Sequence, residues 1–206
     1  MVKEGIPFII ILIILVIIFL WLKWWILFIV FLLFSSILAY FFRDPKRKIQ
    51  KSENLIISPA DGKIIKIENI PFHPLFQAPT TVVSIFLSFF DVHINRAPIS
   101  GIIRKIEHKP GEFFPAFKEK SSLRNEQNII SIQGNNIEIV LKQIAGIIAR
   151  RVKCWVKENE KVQIGQKIGV ILLGSRVEIF LPREVLLNVK LNQKVKAGQS
   201  IIARIK

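Results

Sequence analysis

Ser175 directly follows Gly174 at the point where an apolar run, residues 169–173, breaks and resumes as an alternating apolar segment through residue 182. This pattern predicts a strand, a tight Gly-Ser corner and a second strand. Glycine takes backbone angles closed to other residues, and the hydroxyl of the next residue lies beside the carbonyl carbon of the bond that joins them. Given a base to remove its proton, Ser175 Oγ could attack the Gly174 carbonyl and shift the backbone from amide to ester. Loss of the Ser175 α-proton would then split the ester by elimination. Hydrolysis of what remains would leave a ketone at a new chain start. The same dipeptide also marks ordinary turns.

A self-cleavage of this kind needs a base and a group to orient it, and His93 and Asp61 are the candidates. His93 follows the apolar run 82–90 and precedes Asn95, Arg96 and Pro98, which puts it where a strand gives way to a loop. Asp61 lies in Pro59-Ala60-Asp61-Gly62, a turn that can hold a carboxylate at a fixed angle. Its plainer role is as a turn-capping aspartate. His73 and His108 fall in no such setting and are expected on the surface or behind the site. A serine hydrolase using an uncut Ser175 is a rival reading, although Gly169-x-x-x-x-Gly174-Ser175 is not the Gly-x-Ser-x-Gly elbow.

The elements that must position these groups begin beyond a hydrophobic start. Residues 5–42 contain one charge, Lys23, and form two apolar stretches, 5–22 and 24–42, each near the length of about 20 residues needed to cross a bilayer. Trp21, Lys23, Trp24 and Trp25 between them suit the membrane interface. The expected organisation is a membrane anchor over 1–42 (two transmembrane helices or a hairpin), a basic linker over 43–54 and a β domain over 55–206. Arg43, Lys46, Arg47, Lys48 and Lys51 would place that domain on the cytoplasmic side of the cell membrane.

The net charge of +15 lies almost wholly beyond residue 42. On a membrane-tethered domain it points to anionic lipid headgroups. No nucleic-acid-binding motif or series of stacking aromatics is present, so no nucleic-acid partner is expected. Cys154 is the one cysteine, so no disulfide forms within the chain, and it is expected in the core. No metal site is expected.

The remaining sequence alternates short β-branched runs with Gly, Pro, Asn and Asp breaks. Strands are expected over 55–57, 63–67, 81–87, 102–107, 129–133, 137–143 and 147–156, with a short helical turn within 115–123. Residues 159–168 are echoed by 192–201, an offset of 33. The pattern is similar to the paired halves of a lipoyl- or biotinyl-type β-sandwich. The expected fold is thus mostly β, a β-sandwich whose C-terminal half is barrel-sandwich-like, preceded by an N-terminal transmembrane α-hairpin. It also supplies a rival function, a membrane-tethered lipoyl-like interaction module without catalysis. A carrier lysine is usually flanked by methionine, however, and Met1 is the only methionine.

Gly174-Ser175-Arg176-Val177-Glu178-Ile179-Phe180-Leu181-Pro182 resembles the cleavage segment of the short-form phosphatidylserine decarboxylases, proenzymes that cut themselves between Gly and Ser. Phe42-Arg43-Asp44-Pro45, Ser58-Pro59-Ala60-Asp61-Gly62, residues 91–98 (Asp-Val-His-Ile-Asn-Arg-Ala-Pro) and residues 144–151 follow the same family in order, so the resemblance covers nearly the whole chain. It implies cleavage into a β chain, 1–174, and an α chain, 175–206, that stay associated, and a pyruvoyl group made from Ser175 as the only cofactor. It implies Asp61, His93 and Ser175 as the self-cleavage residues. It also implies a Schiff base between the pyruvoyl carbonyl and the amine of phosphatidylserine, followed by release of carbon dioxide and phosphatidylethanolamine. Longer members carry His-x-x-His where this chain has His93 and Arg96, so one imidazole would serve both processing and turnover. Arg176, Arg150 and Arg151 are first candidates for the substrate phosphate. Residues 111–117, apolar and aromatic, could line an acyl-chain groove. Diacyl and ether-linked serine phospholipids both remain as substrates, and a homo-oligomer remains open.

Overall fold

The computed structural model describes residues 1–50, 52–73, 76, 78–112, 114–116, 121–146, 152–172 and 175–205, the side chains of His73 and Leu123 apart. The chain divides into two units, Met1–Lys46 and Arg47–Lys206.

The first unit is a helical hairpin of α1 (Ile6–Trp21) and α2 (Trp25–Phe41). Lys23 takes a left-handed backbone (φ 58°) to reverse the chain, and Trp24 N–H donates to Phe19 O at 3.0 Å. At the open end Val2 N–H donates to Phe42 O at 3.0 Å. Gly5 is bare there because a Cβ would lie 2.2 Å from the Phe42 ring. Apolar side chains cover the helices all round, the pattern of a hydrocarbon-facing helix rather than a stripe on a soluble core. The span Lys3–Trp21 is long and apolar enough to cross a membrane. The 17 residues of α2 reach about 25 Å, slightly short of a full hydrocarbon core.

The second unit is built from β1 (Leu55–Ile57), β2 (Gly62–His73), β3 (Ala78–Leu87), β4 (Ile94–Arg96), β5 (Gly101–Lys109), α3 (Ser121–Arg124), β6 (Gln127–Gln133), β7 (Glu138–Ile144), β8 (Val152–Cys154), β9 (Lys161–Val162), β10 (Lys167–Ile171), β11 (Ser175–Pro182), β12 (Leu186–Leu187), β13 (Lys194–Val195) and β14 (Ile201–Arg204). An eight-stranded antiparallel sheet runs β13-β2-β3-β11-β7-β6-β5-β9, beside two three-stranded sheets, β4-β10-β8 and β1-β14-β12. The fold is mostly β, as the alternation implied. Of the expected strand 147–156, Val152–Cys154 is strand, Trp155 and Val156 have already left it, and residues 147–151 lie outside the described residues. The apolar run 82–90 leaves the sheet at Leu87.

Alternation decides what each face of β11 meets. Val177, Ile179 and Leu181 join the main core with Ile85, Leu141 and Ile130, whereas Arg176, Glu178 and Phe180 take the other face.

The 33-residue repeat is real in space. Asn159 and Asn192 both adopt positive φ (65° and 68°), as do Gly165 and Gly198 (79° each). Asn159 N–H donates to Ile103 O and Asn192 N–H to Ile64 O, both at 2.8 Å. Their partners reveal a second repeat, offset by 39, that the sequence reading missed: Ser58-Pro59-Ala60-Asp61-Gly62 matches Ala97-Pro98-Ile99-Ser100-Gly101. Gly198 N–H donates to Ser58 O and Gly165 N–H to Ala97 O. The two halves are therefore related by an approximate twofold in which Asp61 corresponds to Ser100.

Candidate active site

Ser175 opens β11, opposite Leu87, the last residue of β3. The chain beyond Leu87 turns through Ser88–Asp91 and passes to β4, where His93 O accepts Ile171 N–H at 3.2 Å, Ile94 faces Val170 and Asn95 faces Gly169. The chain thus passes between the same two sheets twice, from β3 to β4 and from β10 to β11. One carries His93 and the other Ser175, and both residues are buried. Ser175 Oγ is fully enclosed and has no hydrogen-bond partner among the described residues. A buried hydroxyl usually finds a partner, so one held without it is a candidate reacting group. Gly174 lies outside the described residues, as do Arg150 and Arg151.

A polar pair absent from the sequence reading sits under this corner. Gln143 Nε2 donates to Asn95 Oδ1 at 2.7 Å, with both residues buried. Gln143 lies opposite Val177 on the core face of the sheet, diagonal to Ser175 and so about 7–8 Å from it. Asn95 Nδ2 and Gln143 Oε1 keep no partner among the described residues. Flipping both amides would exchange the roles but still leave one donor and one acceptor facing the enclosed space. Gly169 is glycine because a Cβ there would lie 2.8 Å from Gln143 Nε2 and 2.4 Å from Lys153 O.

Asp61 is held at both oxygens. Oδ1 accepts Ala197 N–H at 2.7 Å, and Oδ2 pairs with Arg47 Nη2 at 2.7 Å. Arg47 Nη1 donates to Gln199 Oε1 at 3.1 Å. The twofold explains the first contact, because Ser100 Oγ accepts Ile164 N–H at 2.9 Å in the other half. Anchoring the turn therefore needs only a hydroxyl. The carboxylate at 61 adds a charge and a second oxygen, and Arg47, expected among the headgroup-binding collar, engages it. Asp61 precedes Gly62, which lies so near β3 that a Cβ there would meet Phe86 O at 2.2 Å, and Phe86 is next to the strand partner of Ser175.

Arg176 projects from the face opposite Ser175 and is 2% exposed. Its Nη1 donates to Ser122 Oγ at 2.6 Å and meets Glu178 Oε1 at 3.4 Å. Ser122 Oγ donates to Glu178 Oε1 at 2.6 Å, Ser84 Oγ does so at 3.4 Å, and Lys142 Nζ donates to Ser122 O. Burial pushes the Lys142 ammonium below its ordinary pKa, against the opposing pull of Glu178. This network clips α3 to the back of β11. Arg96 spends Nη1 on Gly165 O at 2.8 Å, bracing a repeat turn.

Of the expected acyl groove 111–117, Phe113 and Phe117 lie outside the described residues; Phe114 is clamped by Asn125, whose Oδ1 accepts its N–H and whose Nδ2 donates to its carbonyl and to Ala145 O. His108 Nδ1 pairs with Asn128 Oδ1 at 2.7 Å, at the sheet surface. Cys154 is half-buried against the core, and burial pushes its thiol pKa up, the setting of an unreactive cysteine. No group of three or more His, Cys, Asp and Glu suited to a metal ion occurs among the described residues.

Residues 34–203 match the family model described as phosphatidylserine decarboxylase. A protein of Syntrophus aciditrophicus named phosphatidylserine decarboxylase proenzyme is 42% identical over 202 residues, covering 97% of this chain and 95% of its own length. One of the same name from Desulfotalea psychrophila is 38% identical over 206 residues, 100% of this chain and 96% of its own. Another from Amoebophilus asiaticus is 43% identical over 169 residues, 82% and 75%.

Proposed function

The chain belongs to the phosphatidylserine decarboxylase family, and on that premise we propose that it is a proenzyme that cuts itself before Ser175 and then decarboxylates a serine phospholipid of the membrane that carries it. The observation that carries this reading is the enclosed Ser175 hydroxyl, without a hydrogen-bond partner among the described residues, on a chain passage that joins the same two sheets as the one carrying buried His93. His93 removes the Ser175 hydroxyl proton and Oγ adds to the Gly174 carbonyl carbon. The peptide nitrogen then leaves with a proton, which gives the ester. Removal of the Ser175 α-proton expels the Gly174 carboxylate from Cβ, and water replaces the resulting imine nitrogen, released as ammonia, to leave the ketone. The Asn95–Gln143 pair offers a donor, without a partner among the described residues, for the developing oxyanion.

Residue 175 is suited to bear the resulting pyruvoyl group, which supplies a carbonyl that condenses with an amine and accepts the electron pair left by carbon dioxide. His93 holds the proton that returns to the substrate α-carbon. Association of the two fragments is supported by pairing, because β11 is hydrogen-bonded to β3 on one side and β7 on the other, and β13 and β14 pair with β2 and β1. Exposed Lys46 and Lys48 support a cytoplasmic domain facing anionic headgroups. The test is release of carbon dioxide from phosphatidylserine labelled in the serine carboxylate. Activity should appear with the purified chain in vesicles and be abolished by Ser175→Ala. No release from cleaved protein would reject the substrate assignment.

A further inference from the structure

Phe89 and Phe90 lie just beyond the end of β3, 37% and 69% exposed, with their rings edge to face at 5.5 Å. The turn that carries them is closed from within. Asp91 Oδ2 accepts Ser88 N–H at 2.8 Å and the Ser88 hydroxyl at 2.6 Å, and Asp91 N–H donates to Ser88 O at 3.1 Å. The one charge of the turn is thus folded back, leaving two aromatic rings at the tip. The tip is also placed at the site, because Leu87 is the strand partner of Ser175 and His93 follows Asp91 by two residues. At strand spacing, Phe89 lies within about 10 Å of Ser175.

We propose that the Phe89–Phe90 turn inserts into the interfacial layer of the lipid bilayer and seats the mouth of the Ser175 site at headgroup level. This rests on the reading that the substrate is a membrane phospholipid. The acyl chains of such a substrate stay in hydrocarbon while its serine head must reach a fully buried residue, so the mouth has to meet the bilayer surface. Aromatic rings favour that layer, and an uncharged tip enters it without desolvating an ion. A second copy of the chain is the competing occupant. At their exposures the two phenylalanines offer about 160–270 Å² per copy, far below the roughly 600 Å² per partner of a stable protein interface.

The test uses the full chain in phosphatidylcholine–phosphatidylserine vesicles. An environment-sensitive dye is placed on Phe90→Cys in a Cys154→Ala background. Blue-shifted emission quenched by spin labels on the lipid acyl chains is expected. Emission typical of water, or quenching only by a second labelled copy, would overturn the proposal. In a second arm, Phe89→Ser with Phe90→Ser should lower the rate on long-chain phosphatidylserine in the vesicle by about tenfold or more, as loss of about 1.4 kcal/mol of seating would. The rate on a water-soluble short-chain phosphatidylserine should stay unchanged. An equal loss on both substrates, or none on either, contradicts insertion. If the unsubstituted chain decarboxylates neither lipid, the decarboxylase reading fails, and the dye alone decides the membrane contact.

Discussion

Replacing Asp61 by serine separates two roles that alanine would remove together. Ser100 already performs the turn-anchoring half of the task in the twofold-related position, accepting Ile164 N–H at 2.9 Å where Asp61 accepts Ala197 N–H at 2.7 Å. Asp61→Ser should therefore keep the turn and lose only the Arg47 pair, whose side chains are each 10% exposed. A charge-assisted hydrogen bond at that depth contributes about 1.5–3 kcal/mol. For a domain of this size that lowers Tm by about 3–12 °C, leaving the chain folded. If the carboxylate orients the His93 base, the self-cleavage rate falls by about a hundredfold or more. Asp61→Ala should match that kinetic loss and cost about 1 kcal/mol more through the lost turn anchor. The assay is the fraction of chain cut against time on a denaturing gel, beside thermal melts of uncut protein in a Ser175→Ala background. A serine variant that folds and cuts at the unsubstituted rate would reduce Asp61 to the turn anchor its counterpart is. A serine variant as unstable as the alanine one would refute the twofold argument itself.

Gln143→Leu strands the buried Asn95 carbonyl and should cost about 1–3 kcal/mol while slowing self-cleavage, measured by melts and by the same gel; unchanged kinetics would remove the pair from the site. Gly169→Ala puts a Cβ 2.4 Å from Lys153 O and should destabilise by about 1–3 kcal/mol in a denaturant titration. Because burial lowers the Lys142 pKa, the unfolded chain keeps a proton the folded chain releases between the folded value and the ordinary 10.5. Stability contributed at Lys142 therefore rises with pH in that window and is lowest below it. The urea midpoint of the unsubstituted chain should climb relative to Lys142→Met as pH approaches about 10; a constant difference would contradict this.

Much of the site could be read from the residues because chemistry was concentrated in short segments. The Gly-Ser pair, the apolar run before His93 and the Pro-Ala-Asp-Gly turn each predicted a strand end; Ser175 opens β11, His93 directly precedes β4 and Asp61 directly precedes β2. What stayed hidden is long-range. Arg47 looked like one basic residue among several, and nothing local shows that it reaches Asp61 across a turn. Gln143 sat within an alternating strand, where its meeting with Asn95 depends on how two sheets stack. Arg176 is different, because the answer was present: adjacent strand residues point to opposite faces, so a residue next to Ser175 could not share its side of the sheet. The 39-residue repeat was also visible as Pro-x-Asp-Gly and Pro-x-Ser-Gly, but its two copies share too few identities to stand out without the hydrogen bonds that equate them. The strand expected over 81–87 does end at Leu87, but nothing in the periodicity shows that Phe89 and Phe90 beyond it stand exposed.

The most direct measurement is the intact mass of the purified chain beside Ser175→Ala. The account predicts two pieces from the unsubstituted protein, residues 1–174 and a piece beginning at residue 175 with a ketone in place of its amine, and a single uncut chain from the variant. A single unmodified chain from folded, active protein would contradict it.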